Sequence, residues 1–320
     1  MFKQISYGER ENLVSVSKDE LEKTLHKQQF VWVDLEKPTQ EDLDFLNKLI
    51  NLHPLSIEET LASNKRQKFR EFPDYVFLVF HESLFDGTKF SEVELDVFLG
   101  KNFVITAYAE KSKSLEELKA RYKKQPRLFE KGSVFFLYLL FDSIVENYFP
   151  IIEKLSDSVE KVETEIFSKA DKKTLSRLFT LKKNLLKMRR KINPQRDIIT
   201  KLASSGSEFI SSEYILYFKG IEDRLIRISE IIDTYREIVA DARDAHLSMV
   251  SNKLSEIMKL LTIIATIILP LTLVTGFYGM NVSFVEYDLF GQRGTYLFAL
   301  AVIAIIATTM IYYFKKNGWI

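Results

Sequence analysis

The chain has 320 residues, 45 Lys+Arg against 44 Asp+Glu and a formal charge of +1, a balance that excludes the basic surplus a nucleic-acid binder needs. Cysteine is absent, which excludes disulfide frameworks, thiolate metal sites and cysteine nucleophiles. The four histidines, His26, His53, His81 and His246, are scattered with no pair at a metal-ligand spacing.

Met1 to Lys18 is polar, without the apolar core of a signal peptide. Phe30 to Leu35 has strand composition, and Pro38-Thr39 opens a helix with Thr39 as N-cap and Asp42 in its first turn. His53-Pro54-Leu55 starts a helix running towards Ala62. Tyr75 to Phe80 reads as a buried strand, and Val93 to Leu99 with Phe103 to Ala107 as a hairpin. From Ser133 the pattern turns helical: Ser133 to Phe149 and Ile151 to Ser168 flank Pro150, and Lys172 to Ile192 ends before Pro194. Residues 204–212, rich in Ser and Gly, read as a connection.

No proline lies between Pro194 and Pro270. Ile221, Leu225, Ile228, Ile232, Tyr235, Val239, Ala242, His246 and Met249 alternate spacings of four and three, a heptad seam. A single helix from Glu213 to Met280 is expected, ~100 Å long at ~1.5 Å per residue. Its seam requires packing against other long helices of the chain, against copies of itself, or both.

Charge then disappears. Beyond Lys259 the acids are Glu286 and Asp288 and the bases Arg293, Lys315 and Lys316, leaving the two signs equal in number over residues 1–259. Leu260 to Val285 and Gly294 to Phe314 are uncharged, and each exceeds the ~20 apolar residues a helix needs to cross a bilayer. A membrane protein is expected, with spans over 260–280 and 294–314. Lys253 and Lys259 precede the first span and Lys315 and Lys316 follow the second, against Arg293 alone between them. The positive-inside rule puts both termini in the cytoplasm and residues 281–293 outside.

The first span ends in Tyr278-Gly279-Met280-Asn281, two spans close the chain, and a Lys-Lys tail follows. That combination resembles the CorA family of divalent-cation channels and transporters, whose hallmark is Tyr-Gly-Met-Asn at this place. Trp32-Val33-Asp34-Leu35 with Pro38, His53-Pro54-Leu55 with Glu58, Leu95 to Asn102 with Thr106, and Leu261 to Ile267 with Pro270-Leu271-Thr272 extend the likeness over nearly the whole chain.

The resemblance implies an α+β cytoplasmic domain, an α/β sandwich over residues 1–204 that includes a helical hairpin. It further implies a stalk helix over 213–259, two C-terminal transmembrane helices, a basic tail over 315–320 and a funnel-shaped homopentamer in the cell membrane. It implies no enzyme and no cofactor, with Mg2+ as substrate and regulatory ligand, and Co2+ and Ni2+ as further cations.

The site residues follow from the same likeness. Gly279, Met280 and Asn281 form the selectivity mouth, where amide and carbonyl oxygens suit a hydrated ion. Gly279 allows close backbone approach and an unusual turn, and Met280 is expected to pack the loop, thioether being too soft for Mg2+. Thr272, Leu269, Leu261, Met258 and Ser255 match pore positions, with Asp244 at the neck; packing against the second span is the alternative. Glu286 and Asp288 attract cations outside or are ordinary loop acids. Asp74 matches one member of a regulatory pair whose partner position holds Gly220, with Glu222 and Asp223 nearby. The outer loop lacks the Met-Pro-Glu-Leu of many relatives, which leaves Mg2+ or Zn2+ open as the preferred cation. A membrane-anchored scaffold is the reading from another class.

Overall fold

The computed structural model describes residues 2–9, 12–15, 18–26, 29–62, 65–85, 90–168, 172–204, 208–280 and 285–319. The chain divides into two compact units, Met1–Arg243 and Asp244–Ile320.

The first unit is built on a seven-stranded sheet ordered β2-β1-β3-β7-β6-β5-β4. Its strands are β1 (Phe2–Glu9), β2 (Asn12–Ser15), β3 (Val31–Glu36), β4 (Lys68–Glu71), β5 (Tyr75–Phe85), β6 (Phe90–Gly100) and β7 (Phe103–Tyr108). Only β3 and β7 pair in parallel; the other neighbours are antiparallel. Side chains alternate across a sheet, and here both faces are apolar. Val33, Phe77, Val79, Phe98 and Ile105 bury against Leu43, Leu46 and Ile57, which belong to α2 (Gln40–Ile50) and α3 (Pro54–Leu61). On the other face Trp32 meets Phe136 at 4.7 Å and Phe80 stacks on Phe141 at 4.3 Å. Those rings belong to α5 (Gly132–Glu146), beside α4 (Lys113–Lys124). The result is an α/β sandwich, as expected, with helices on both faces of the sheet.

Capping fixes where the helices start. Thr39 and Asp42 form a reciprocal capping box. His53 caps α3 by accepting from the Leu55 amide at 3.1 Å, with Pro54 at the first helical position. The Trp-Val-Asp-Leu motif is explained by a buried chain of hydrogen bonds. Trp32 Nε1 donates to Thr106 Oγ1 at 3.0 Å, and Thr106 donates to Asp34 Oδ1 at 2.8 Å. Asp34 Oδ2 takes Tyr108 OH at 3.0 Å and Lys119 Nζ at 2.7 Å. Burial and the Asp34 charge push the Tyr108 phenol far up, so it remains a donor.

Three long helices follow: α6 (Phe149–Ser168), α7 (Lys172–Leu202) and α8 (Ser212–Tyr278). Helix α7 passes through Pro194 instead of stopping at Ile192. Tertiary contacts offset the lost backbone bond: Gln195 is buried, accepts from Tyr148 OH at 2.7 Å and donates to the His81 carbonyl, and Ile198, Ile199 and Leu202 pack inside. The α8 seam is buried at Ile221, Leu225, Ile228, Ile232, Val239 and Ala242. Its neighbour is α7, as Ser229 to Asn193 at 3.3 Å and Asp233 to Arg189 at 3.0 Å show. Over this stretch the seam is satisfied by a long helix of its own chain.

The second unit holds the rest of α8 and α9 (Val285–Lys316), which is broken at Gly291, where φ is 67° and ψ 169°. The stretch expected as a loop up to residue 293 is thus helical from Val285 to the break, and the break falls at a glycine because that residue adopts such a backbone without strain. Ser212–Tyr278 and Arg293–Lys316 contain the two helical stretches long and apolar enough to cross a membrane.

Removing Lys119 leaves the buried Asp34 carboxyl short of one partner. Lys119→Met, which keeps the stem, is expected to destabilise the first unit by about 3 kcal/mol, read as a lower unfolding midpoint in urea.

Candidate ion pathway

Helix α8 presents two opposed stripes in the second unit. Between Leu261 and Met280 the covered or half-covered positions are Ile263, Ile267, Pro270, Leu271, Val274 and Tyr278. Ser255, Met258, Leu261, Leu269 and Thr272 are all exposed. At ~100° per residue the two sets are centred about 180° apart. Leu269 is 72% and Leu261 58% exposed, so the expected pore positions point away from the side the chain covers. Asp244 is exposed on that same face. Thr262, Ala265 and Gly276 fall on it as well; sequence matching missed them, although the helical period alone places them there.

The hydroxyls of this stretch have a fixed polarity. Thr272 Oγ1 donates to the Ile268 carbonyl at 2.9 Å, Thr262 to Met258 at 2.8 Å, and Ser255 to Ser251 at 3.0 Å. With its proton committed to the helix, each oxygen has only lone pairs left to offer. Such a group can accept from the metal-polarised waters around a cation.

At its C-terminal end the helix tightens. Gly279 N donates to Thr275 O at 2.9 Å and Met280 N to Phe277 O at 3.2 Å. Gly279 lies in the turn that ends α8, without a positive φ. The close approach expected of it is present: a Cβ there would lie 3.0 Å from the Thr275 carbonyl oxygen. Met280 is 56% exposed in the single chain. Asn281 lies outside the described residues. Glu286 and Asp288 sit on the helical backbone before Gly291, and their side chains also lie outside the description.

A second apolar stripe adjoins the pore positions. Leu247, Val250, Leu254, Ile257, Leu261, Ile264 and Ile268 alternate spacings of three and four, and all are exposed. The heptad frame thus shifts by one residue near His246, from the seam buried on α7 to a seam without cover in one chain.

The regulatory candidates are not gathered in one chain. Asp74 is exposed beside a groove of about 580 Å³ that Lys48 and Lys101 also line. Glu222 accepts from Thr200 Oγ1 at 2.5 Å, which turns it towards α7. Asp223 and Gly220 are exposed, and nothing lies within 4 Å of a Cβ added at Gly220. Among the described residues no three His, Asp or Glu side chains converge on a metal position. The buried charges elsewhere serve the fold. Asp96 pairs with Lys65, and burial pushes its carboxyl up to about 7. Burial and Lys191 hold His81 down to about 4.

The family model for the CorA-like Mg2+ transporter protein matches residues 27–316. The chain belongs to this family. It is 34% identical over 278 residues to the cobalt/magnesium transport protein CorA of Thermotoga maritima, covering 86% of this chain and 79% of that one. It is 32% identical to the putative metal ion transporter YfjQ of Bacillus subtilis, covering 90% and 89%. The complete structure of the CorA magnesium transporter from Methanocaldococcus jannaschii shares the fold, with a TM-score of 0.86, 24% identity and coverage of 99% and 98%. Membership makes the two apolar helices membrane spans of a divalent-cation transporter.

The crowding at Gly279 gives a test. Gly279→Ala must displace the Thr275 carbonyl, at a cost of about 1 kcal/mol, and should lower cation flux into proteoliposomes by roughly fivefold or more while leaving assembly unchanged on a sizing column.

Proposed function

We propose that this protein is a homopentameric channel for passive influx of hydrated Mg2+, with Co2+ and Ni2+ as further permeant ions, closed by intracellular Mg2+. The observation that carries this reading is the exposed face of α8, which alternates apolar side chains with acceptor-only hydroxyls, stands opposite the covered stripe and leads up to Gly279-Met280-Asn281. One chain cannot enclose a path with one such face. Copies joined along the exposed Leu247–Ile268 stripe can.

Mg2+ exchanges its waters reluctantly, so the mouth has to hold the ion with its shell. A ring of Asn281 amides and Gly279 carbonyls offers acceptors to those waters without the deep trap of a carboxylate ring. Thr272 supplies a second polar stop, and Leu269, Leu261 and Met258 form constrictions that shut by dewetting. Glu286 and Asp288 draw cations to the outer mouth. A membrane potential of ~100 mV favours entry of a divalent ion by roughly 4.6 kcal/mol, so influx needs no ATP. Lysines at the inner ends of both spans put both termini in the cytoplasm.

Intracellular Mg2+ closes the channel by screening acids between subunits. Asp74 supplies one carboxylate, and Glu222, which accepts from Thr200, and Asp223 follow close in sequence on the partner position at Gly220.

Two outcomes test the reading. Asn281→Ala should abolish Mg2+-dye flux in proteoliposomes without loss of assembly; normal flux, or flux of Zn2+ that Mg2+ does not inhibit and a proton gradient drives, would sink it. Gly220→Asp, which the open space at that position accommodates, should lower the Mg2+ concentration that closes the channel by about tenfold, and Asp74→Asn should raise it.

A further inference from the structure

The inner end of the first span is tied to the chain's last residues. Helix α9 ends in a Schellman motif: Gly318 N donates to Lys315 O at 3.2 Å and Trp319 N to Phe314 O at 2.9 Å, with Gly318 at φ 68°. The motif's usual apolar contact is present as the Phe314 and Trp319 rings, 5.7 Å apart, with Phe314 buried. This turn aims two groups at α8. Lys259 Nζ donates to the Gly318 carbonyl at 3.2 Å and stands 6.0 Å from the centre of the Trp319 ring. A charge-assisted hydrogen bond and a cation–π contact therefore converge on one ammonium.

Lys259 sits between Met258 and Leu261, two of the exposed pore-face positions. A lysine held at its tip and its helix held at its root cannot both turn freely. We infer that the Lys259–Gly318–Trp319 clasp sets the rotation of α8 at its inner end, making Lys259 and Trp319 positioning residues for the Met258 and Leu261 constriction. This rests on the pore face proposed above. Positive charge alone accounts for Lys259 as a topology signal, and an interfacial ring alone accounts for Trp319; neither requires the tail to fold back onto α8. The glycine is needed because the turn's backbone is left-handed at that residue.

The absence of cysteine makes single cysteines clean reporters. Full-length protein carrying Met258→Cys or Leu261→Cys, reconstituted in liposomes, is treated with a cationic methanethiosulfonate, with Leu260→Cys and Ile263→Cys as controls. Both pore-face cysteines should react faster than the controls. Adding Lys259→Met or Trp319→Ala should slow Met258→Cys and Leu261→Cys by roughly tenfold, the scale of one lost charge-assisted hydrogen bond. Lys259→Arg should restore the rates, and the double variant should add nothing, because the two residues act as one unit. A merely structural role would alter assembly on a sizing column and would not single out two positions of one helix face. Rates within twofold of the parent in both variants overturn the clasp. Controls that react faster than Met258→Cys and Leu261→Cys in the parent overturn the pore face itself and the clasp's role with it.

Discussion

Mg2+ surrenders its water slowly and no ion enters an apolar layer bare; under the proposed function that constraint bears on the whole length of α8. The helix runs from Ser212 to Tyr278, and along its sequence it carries a charged stretch, an exposed apolar stripe and a span edged with hydroxyls. Each stretch answers a different demand. Ile221 to Ala242 is packed against α7, which leaves the helix stable in a single chain. Under the proposed function, other copies join along the exposed Leu247–Ile268 stripe, and the Thr272 and Ser255 oxygens meet the hydrated ion.

Local chemistry supports that helix from both sides. In the first unit the buried charged side chains of the sandwich are paired: Asp34 with Lys119, and Asp96 with Lys65. A buried pair contributes little net stability against an apolar substitute, yet losing one member is severe, which fits a sheet whose two faces must keep register beneath α5 and α7. On the membrane side the ends of the spans are fixed by turns, tight at Gly279, broken at Gly291 and left-handed at Gly318.

Much of this was legible in the residues. The Thr39-Asp42 box, the His53-Pro54 start and the hairpin before Thr106 are local signals with local causes, and the structure has all three. The two charge-free stretches and the proline-free run announced the spans and the long helix for the same reason. What escaped notice was set by distant contacts. Strands β1 and β2 lie in a polar stretch and are held by pairing along the sheet. Helix α7 continues past Pro194 because Gln195 reaches the β5 backbone. The heptad seam could be read but not its partner, since period alone does not say whether α7 or another copy covers it. The residues of the mouth were named through family likeness, and periodicity shows why: Gly279 and Asn281 break a pattern and belong to none.

The central claim is that the bare face of α8 becomes a pore only in an assembly of copies. The most direct measurement is the mass of the detergent-solubilised protein by native mass spectrometry. The account predicts a closed assembly of five chains of 37.4 kDa each, held together when the cytoplasmic acids are neutralised by Mg2+. A monomer or dimer as the largest species, with the membrane unit folded, would contradict it, because one or two such faces cannot surround a hydrated ion.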